Sequence, residues 1–421
     1  MIKSIKSVFD NKSIRKKIIA TLVLVLVYKL LSIIPVPGVN TQGLSAIMEG
    51  QKGLSFFSAL MWGWLSNFSI ILMGLSPYIN AVIIIQLVWI IVPKIGDLQK
   101  EGEAGQKKIT KITRWLTLPL AFVQSYGIII LLNTLAQGSI IDTSNIQVLL
   151  MAMIIITTWT LFLMWLWEVM TEVGIWNGIS IIITAWVLAG TPGVIMSYIS
   201  AGDYPLFIWL LIATLVIIYI IVKFTEWNRR IPIIYTNTWR EEKSYFPIRV
   251  NQAGMIPIIF AVSLVTFPAI IGQILSSSTG ETSSAIWKFL LEYFSMSNPS
   301  WFFIAVYFLL VLGFSFFYVS ITFNTEQVAE SIQKRGGYIP GIRPGTETSD
   351  YLSKVSAHLN LFGGWFLALI AVLPYIMWKI MWQSVDFIVS AAGLIIIVSV
   401  ILDVVRKVDA ELKMFDYSKF K

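Results

Sequence analysis

The sequence predicts an all-α polytopic membrane protein with ten transmembrane helices, and three observations carry that prediction. Of 421 residues, 57% are apolar and 13% charged, against about 25% charge in a typical soluble domain. Ten apolar runs recur along the chain, each near the roughly 20 residues a helix needs to cross a hydrocarbon core. Lysine and arginine fall almost wholly into alternate connections between those runs.

In chain order the spans fall at about 17–37, 68–92, 112–135, 147–170, 176–199, 205–224, 252–273, 301–323, 358–379 and 383–403. Ahead of the first stand Lys3, Lys6, Lys12, Arg15, Lys16 and Lys17. A signal peptide would show a small-residue cleavage site after the apolar run and no train of further spans, so this reads as an uncleaved first helix. Lys29 lies inside it. An ammonium at that depth either faces a polar interior or snorkels to a surface.

The second span belongs to a broken apolar stretch, Gly53 to Pro93. Its first piece, Leu54 to Trp64, is too short to cross a bilayer, and Ser66-Asn67 separates it from the charge-free run Phe68 to Val92. The short piece reads either as an interfacial helix or as a re-entrant segment surrounded by protein, a movable stopper with soft joints at Gly53, Gly63, Ser66 and Asn67. The fourth span ends in Trp165-Leu166-Trp167-Glu168. Glu168 sits near a predicted cytoplasmic end, which favours a solvated or helix-packing role over that of a transport carboxylate. Gly190-Thr191-Pro192-Gly193 predicts that the fifth span bends or ends early.

Between spans six and seven, Ile231, Ile233, Tyr235 and Thr236 suggest a short extended arm in a link of mixed charge. Span seven opens on Val250-Asn251-Gln252-Ala253-Gly254-Met255-Ile256-Pro257, and with Pro268 further on it reads as bent or loosely packed. The link after span eight carries Gly336-Gly337-Tyr338-Ile339-Pro340-Gly341-Ile342-Arg343-Pro344-Gly345, whose glycines and prolines present Arg343 on a rigid tip.

Charge then orients the chain. The amino terminus, the links 93–114, 223–249 and 324–354, and the tail from Arg406 hold 27 of the 31 basic residues. The other connections contain only Lys52, Lys288 and Lys379. By the positive-inside rule the basic links and both termini lie in the cytoplasm.

Composition excludes much chemistry. With no cysteine there are no disulfides or thiolate zinc sites, and a single histidine, His358, cannot form a histidine metal cluster. The glycine-rich run lacks the spacing of a phosphate loop, and no hydrolase motif is present. No cofactor and no catalytic residue are expected. Energy for any directed movement must come from a partner.

Several ordered motifs are similar to those of the SecY family, the channel-forming subunit of the bacterial protein translocase. They are Pro35-Val36-Pro37-Gly38, Pro77-Tyr78-Ile79-Asn80 with Ile83 to Gln86, Gly174 through Ser180, Arg229-Arg230-Ile231-Pro232, Val250 through Pro257, and Gly341 through Gly345. The resemblance implies two pseudo-symmetric five-helix halves around a central pore. Residues 1–200 would hold helices one to five and a short plug helix near 55–67. Residues 201–421 would hold helices six to ten and the docking loops 223–250 and 324–353.

The resemblance further implies a pore ring of Leu75, Ile79, Val187, Ile256, Ile259 and Ile396, and a plug including Phe56, Phe57, Leu60, Trp62, Trp64 and Leu65. It implies a lateral gate between spans two and seven, involving Pro77, Asn80, Gln86, Asn251, Gln252 and Pro257, with spans three and eight beside it. Docking would fall on Arg229, Arg230, Arg240, Lys334, Arg335 and Arg343. Implied partners are a SecE-like subunit clamping both halves, a SecG-like subunit, the SecA ATPase or a ribosome, an unfolded preprotein with its signal sequence, and membrane lipid.

A short first docking link and a Trp-rich plug region leave both a housekeeping and an accessory translocase open. From another class, a secondary active transporter for a small solute would place charge near the membrane midplane, where this chain offers Lys29 alone. A static membrane scaffold would need neither a bent seventh span nor a half-length apolar piece.

Overall fold

A computed structural model describes residues 11–37, 69–71, 73–92, 102–135, 141, 145–202, 204–235, 242–278, 285–294, 299–381 and 391–419. Each of the ten predicted spans carries a helix. The first six are α1 (Lys12–Leu31), α2 (Ser76–Ile91), α3 (Glu103–Leu135), α4 (Ile146–Val173), α5 (Gly178–Ala201) and α6 (Tyr204–Glu226). A hairpin of β1 (Asn228–Tyr235) and β2 (Glu242–Arg249) follows, then α7 (Ile256–Ser278), α8 (Ala285–Tyr293) and α9 (Trp301–Thr322). The chain ends with α10 (Thr325–Lys334), β3 (Gly337–Tyr338), α11 (Thr346–Met381) and α12 (Ala391–Lys419).

Helix starts are marked by uncharged caps. Asn11, Asn145, Asn177, Ser300 and Asn324 each accept a backbone N–H from the first turn of α1, α4, α5, α9 and α10 respectively. An amide or hydroxyl satisfies the orphan donors without bringing a charge to the bilayer edge. Between α4 and α5 the turn is tight: a Cβ on Gly174 would lie 2.5 Å from the Met170 carbonyl oxygen, so glycine is required there. Thr171 closes the turn by accepting the Gly178 N–H at 2.9 Å.

Several sequence expectations are corrected. The first span stops at Leu31, and the second begins at Ser76 rather than Phe68. Apolarity reports burial, and residues 69–71 and 73–75 are buried without being helical. Their backbone is satisfied locally: Ser69 bridges to Pro35, Ile70 N–H donates to Ile34 at 2.9 Å, and Gly74, at φ 50°, turns the chain toward α2. Helix α2 therefore has 16 residues, about 24 Å at 1.5 Å per residue.

The fifth span does not end early. Its helix runs through Pro192 to Ala201 and stops at Gly202, which adopts φ 73°. The entry to span seven is an ordered turn, in which Asn251 Oδ1 accepts the Gly254 N–H at 2.9 Å. Pro257 falls in the first turn of α7, where a missing N–H costs nothing, leaving Pro268 as its internal proline.

The helices close a circuit. Helix α2 packs on α3, α3 on α4 and α4 on α5, with α1 behind α4 and α5. Helix α5 meets α6 and α12; α12 meets α11, α11 meets α9, and α9 meets α7. The circuit returns where α7 packs against α2 and α3. One apolar core runs through it, drawing on α1 through α7, α9, α11 and α12.

A second, smaller core lies outside the bundle, around Ile231, Ile233, Ile248, Ile332, Ile339, Leu352 and Val355. The expected extended arm is the first strand of this body. Its sheet has the order β2-β1-β3, all antiparallel, with Asn228 opposite Arg249 and Ile234 opposite Tyr338. Pro232 is tolerated in the middle strand because β3 covers only Ile234 and Tyr235.

Candidate functional site

Branched aliphatic side chains from four separate helices are buried in the apolar core of the bundle. Leu75 occupies the cap position of α2 and is fully buried. Ile79 follows one turn later, its N–H donating to the Leu75 carbonyl at 2.9 Å. Pro77 between them sets the register, since its fixed φ suits only the first turn. Ile259 in the first turn of α7, Val187 in mid-α5 and Ile396 on α12 are buried in the same apolar core, and Ile256, half-buried, packs against it.

All six pore candidates thus share one core. That core is equally dense at neighbouring positions: Ile183, one turn from Val187 on α5, Phe260, next to Ile259 on α7, and Ile395, next to Ile396 on α12, are also buried. Sequence register alone could not have singled these out, because a run of isoleucines has no internal marker. Chemically the cluster has no hydrogen bond to offer an ion or a peptide, so it can exclude the first by dewetting and release the second readily.

The gate candidates separate into two groups. Pro77 and Asn80 are buried on α2, and Gln86 is half-buried, its Oε1 enclosed without a protein partner. Asn251 and Gln252 lie in the turn before α7, not on it. Gln252 Oε1 accepts the Ser356 hydroxyl of α11 at 2.9 Å, so its carbonyl end is engaged with α11. Pro257 is buried at the start of α7. Helices α3 and α9 flank α7, as expected of spans three and eight.

The docking candidates cluster on the small sheet. Arg229 and Arg230 are exposed at the start of β1, Arg335 follows α10, and Lys334 pairs with Glu330 at 2.8 Å. Arg343 is exposed on the expected tip, between Gly341 at φ 82° and Gly345 at φ 106°, and its carbonyl accepts the Thr348 hydroxyl at 2.8 Å. Arg249 reaches Asp403 of α12 at 4.0 Å. Burial and the neighbouring Arg406 hold Arg249 below the ordinary arginine range, partly offset by Asp403. Arg240 and the plug candidates Phe56, Phe57, Leu60, Trp62, Trp64 and Leu65 lie outside the described residues.

Other expectations resolve plainly. Lys29 is exposed on the outer side of α1 with Leu22, Leu26 and Leu30, which matches snorkelling rather than a polar interior. Glu168 packs between helices, bound to Arg114 at 2.7 Å. His358 is exposed, its Nδ1 2.7 Å from the Lys354 carbonyl. Sequence reasoning missed the buried Ser315–Asn360 hydrogen bond of 2.9 Å between α9 and α11. The glycine at 364, against which Ser315 packs, was its available signal.

Comparison with known proteins now bears on this geometry. A model of the SecY family matches residues 69–405. The chain is 36% identical over 439 residues to the protein translocase subunit SecY of Halalkalibacterium halodurans, covering 100% of each. To the subunit of the same name from Mycobacterium tuberculosis H37Rv it is 35% identical over 443 residues, again covering 100% of each. A solved structure described as that of a protein conducting channel superposes with TM-score 0.65 at 17% identity, over 93% of this chain and 91% of that one. Sec61 in the canine ribosome-channel complex from the endoplasmic reticulum gives TM-score 0.65 and 17% identity, over 94% and 92%. The fold is shared with these structures, and with the match running from the Ser69 bridge into α12, the chain belongs to the SecY family.

Proposed function

We propose that this chain is the channel-forming subunit of a protein translocase, threading unfolded secretory polypeptides through the aliphatic cluster and releasing apolar segments sideways between α2 and α7. The observation that supports this reading is that Leu75, Ile79, Val187, Ile259 and Ile396, from four helices, are all buried in one apolar core, while α2 packs directly on α7. The pore ring, the gate and a two-half division at residues 200 and 201 belong to the same reading. A passing signal sequence that reached lipid would be stabilised by about 0.8 kcal/mol for each buried CH2, whereas a polar passenger gains nothing there and continues. The ring needs no catalytic residue, and the family offers no support for the solute-transporter alternative.

The basic sheet body is the docking surface in this reading, with the SecA ATPase or a translating ribosome as the source of energy. Ribosome docking draws support from structural neighbours solved in ribosome complexes, among them the yeast Ssh1 complex on the 80S ribosome. SecE-like and SecG-like subunits complete the assembly. In this reading it lies in the bacterial cytoplasmic membrane with both termini inside, an orientation that the asymmetric basic links support. Site-specific crosslinking from positions 75, 79, 187 and 259 to a stalled exported chain tests the route. Contacts from all four support it; contacts from none, with solute exchange in vesicles lacking any passenger, overturn it.

A further inference from the structure

Tyr78 adjoins Ile79 in the first turn of α2, and its ring is buried. It lies 5.3 Å, centroid to centroid, from Trp167 of α4, the planes tilted at 48°. The next residue along α4, Glu168, extends to α3 and meets Arg114, Nη2 to Oε1, at 2.7 Å. That carboxylate side chain is 18% exposed and the guanidinium 46%. This is more enclosed than the surface pairs that contribute little, and removal of Arg114 alone would strand a charge among helices. Among the described residues, α2 also packs on α3 and α7.

We propose that Arg114, Glu168, Trp167 and Tyr78 form a brace that positions the first turn of α2, and with it Leu75 and Ile79, in the closed arrangement against α7. The ion pair sets the separation of α3 and α4 beside Trp167, and Trp167 in turn sets where Tyr78 can rest. These are positioning residues: none touches the passenger. A shift of Tyr78 is transmitted to Leu75 and Ile79 because the three share one helical turn with Pro77 locked between them. The inference rests on the channel reading above and adds to it the residues that hold the ring shut.

The chain's lack of cysteine gives a clean background for the test. Reconstituted in vesicles, the full chain with cysteines at 79 and 259 gives the resting crosslink yield, and the cysteine-free chain, with Ile79 and Ile259 intact, gives the ion leak. Absence of the crosslink in the otherwise unchanged chain overturns the channel geometry itself, separately from the brace. Where it forms, E168Q and R114Q should each lower the yield and raise the leak several-fold. The charge-swapped pair R114E/E168R should recover both, Y78F should be silent, and Y78A should match E168Q. Unchanged yield and leak in the single variants, or a swap no better than either single, overturns the brace. Should the charge variants fail to accumulate, R114K against Y78A and Y78F decides by the same two readouts.

Discussion

At the scale of single residues, the site depends on side chains that hydrogen-bond to nothing. Leu75 is wholly enclosed, and Leu75→Ala should cost about 2–5 kcal/mol through lost contacts and the cavity left behind. The expected outcome is a lower unfolding temperature of the purified protein together with a raised ion leak in vesicles. Leu75 and Ile79 were legible because Pro77 admits one register in a helix start. Val187 and Ile396 lie among isoleucines equally buried, so their neighbours could be named only from coordinates. Gln252 shows a different limit. Its polarity was plain, but whether it faced α2 or α11 depended on packing between positions 252 and 356, which no local pattern encodes.

At the scale of elements, long apolar helices were readable and short mixed ones were not. Helices α4, α6 and α9 follow their apolar runs closely. The run from Phe68 was misplaced as helix because a buried turn and a buried helix share the same composition. The sheet was seen only as an arm. Its strands alternate Ile231 and Ile233 inward, but prolines inside both strands, and a third strand of two residues, mask the pattern. Two variants separate the platform from its contacts. Ile233→Asp buries a charge in the small core and should abolish ATP-driven export while the membrane helices remain folded. Arg343→Glu should leave the sheet intact and weaken motor-driven export, at the roughly 2–5 kcal/mol of a lost interfacial charge contact. Circular dichroism and export by reconstituted vesicles check both. Undiminished export by the Arg343 variant would remove that residue from the docking surface.

At the scale of the whole molecule, the circuit of helices has two seams between residues before and after position 200. One is continuous, where α5 meets α6 and α12; the other is a contact of α7 with α2 and α3. Parting the second would leave the connection between α5 and α6 undisturbed, and in the channel reading proposed above it is the one that opens. Cysteine pairs along α2 and α7, once oxidised, should therefore block passage of signal-bearing proteins, and reduction should restore it. Passage at the original rate with that seam bridged would mean the opening lies elsewhere.

The base of the hairpin is tied at both strands: Val250 N–H donates to the Trp227 carbonyl at 3.0 Å, and Gly363 of α11 lies so close to Val250 that a Cβ there would sit 2.5 Å from its oxygen. The two strands are thus anchored where α6, the entry to α7 and α11 come together. In the translocase reading proposed above, whatever docks on this protrusion therefore holds a lever on the α2–α7 contact through the entry to α7.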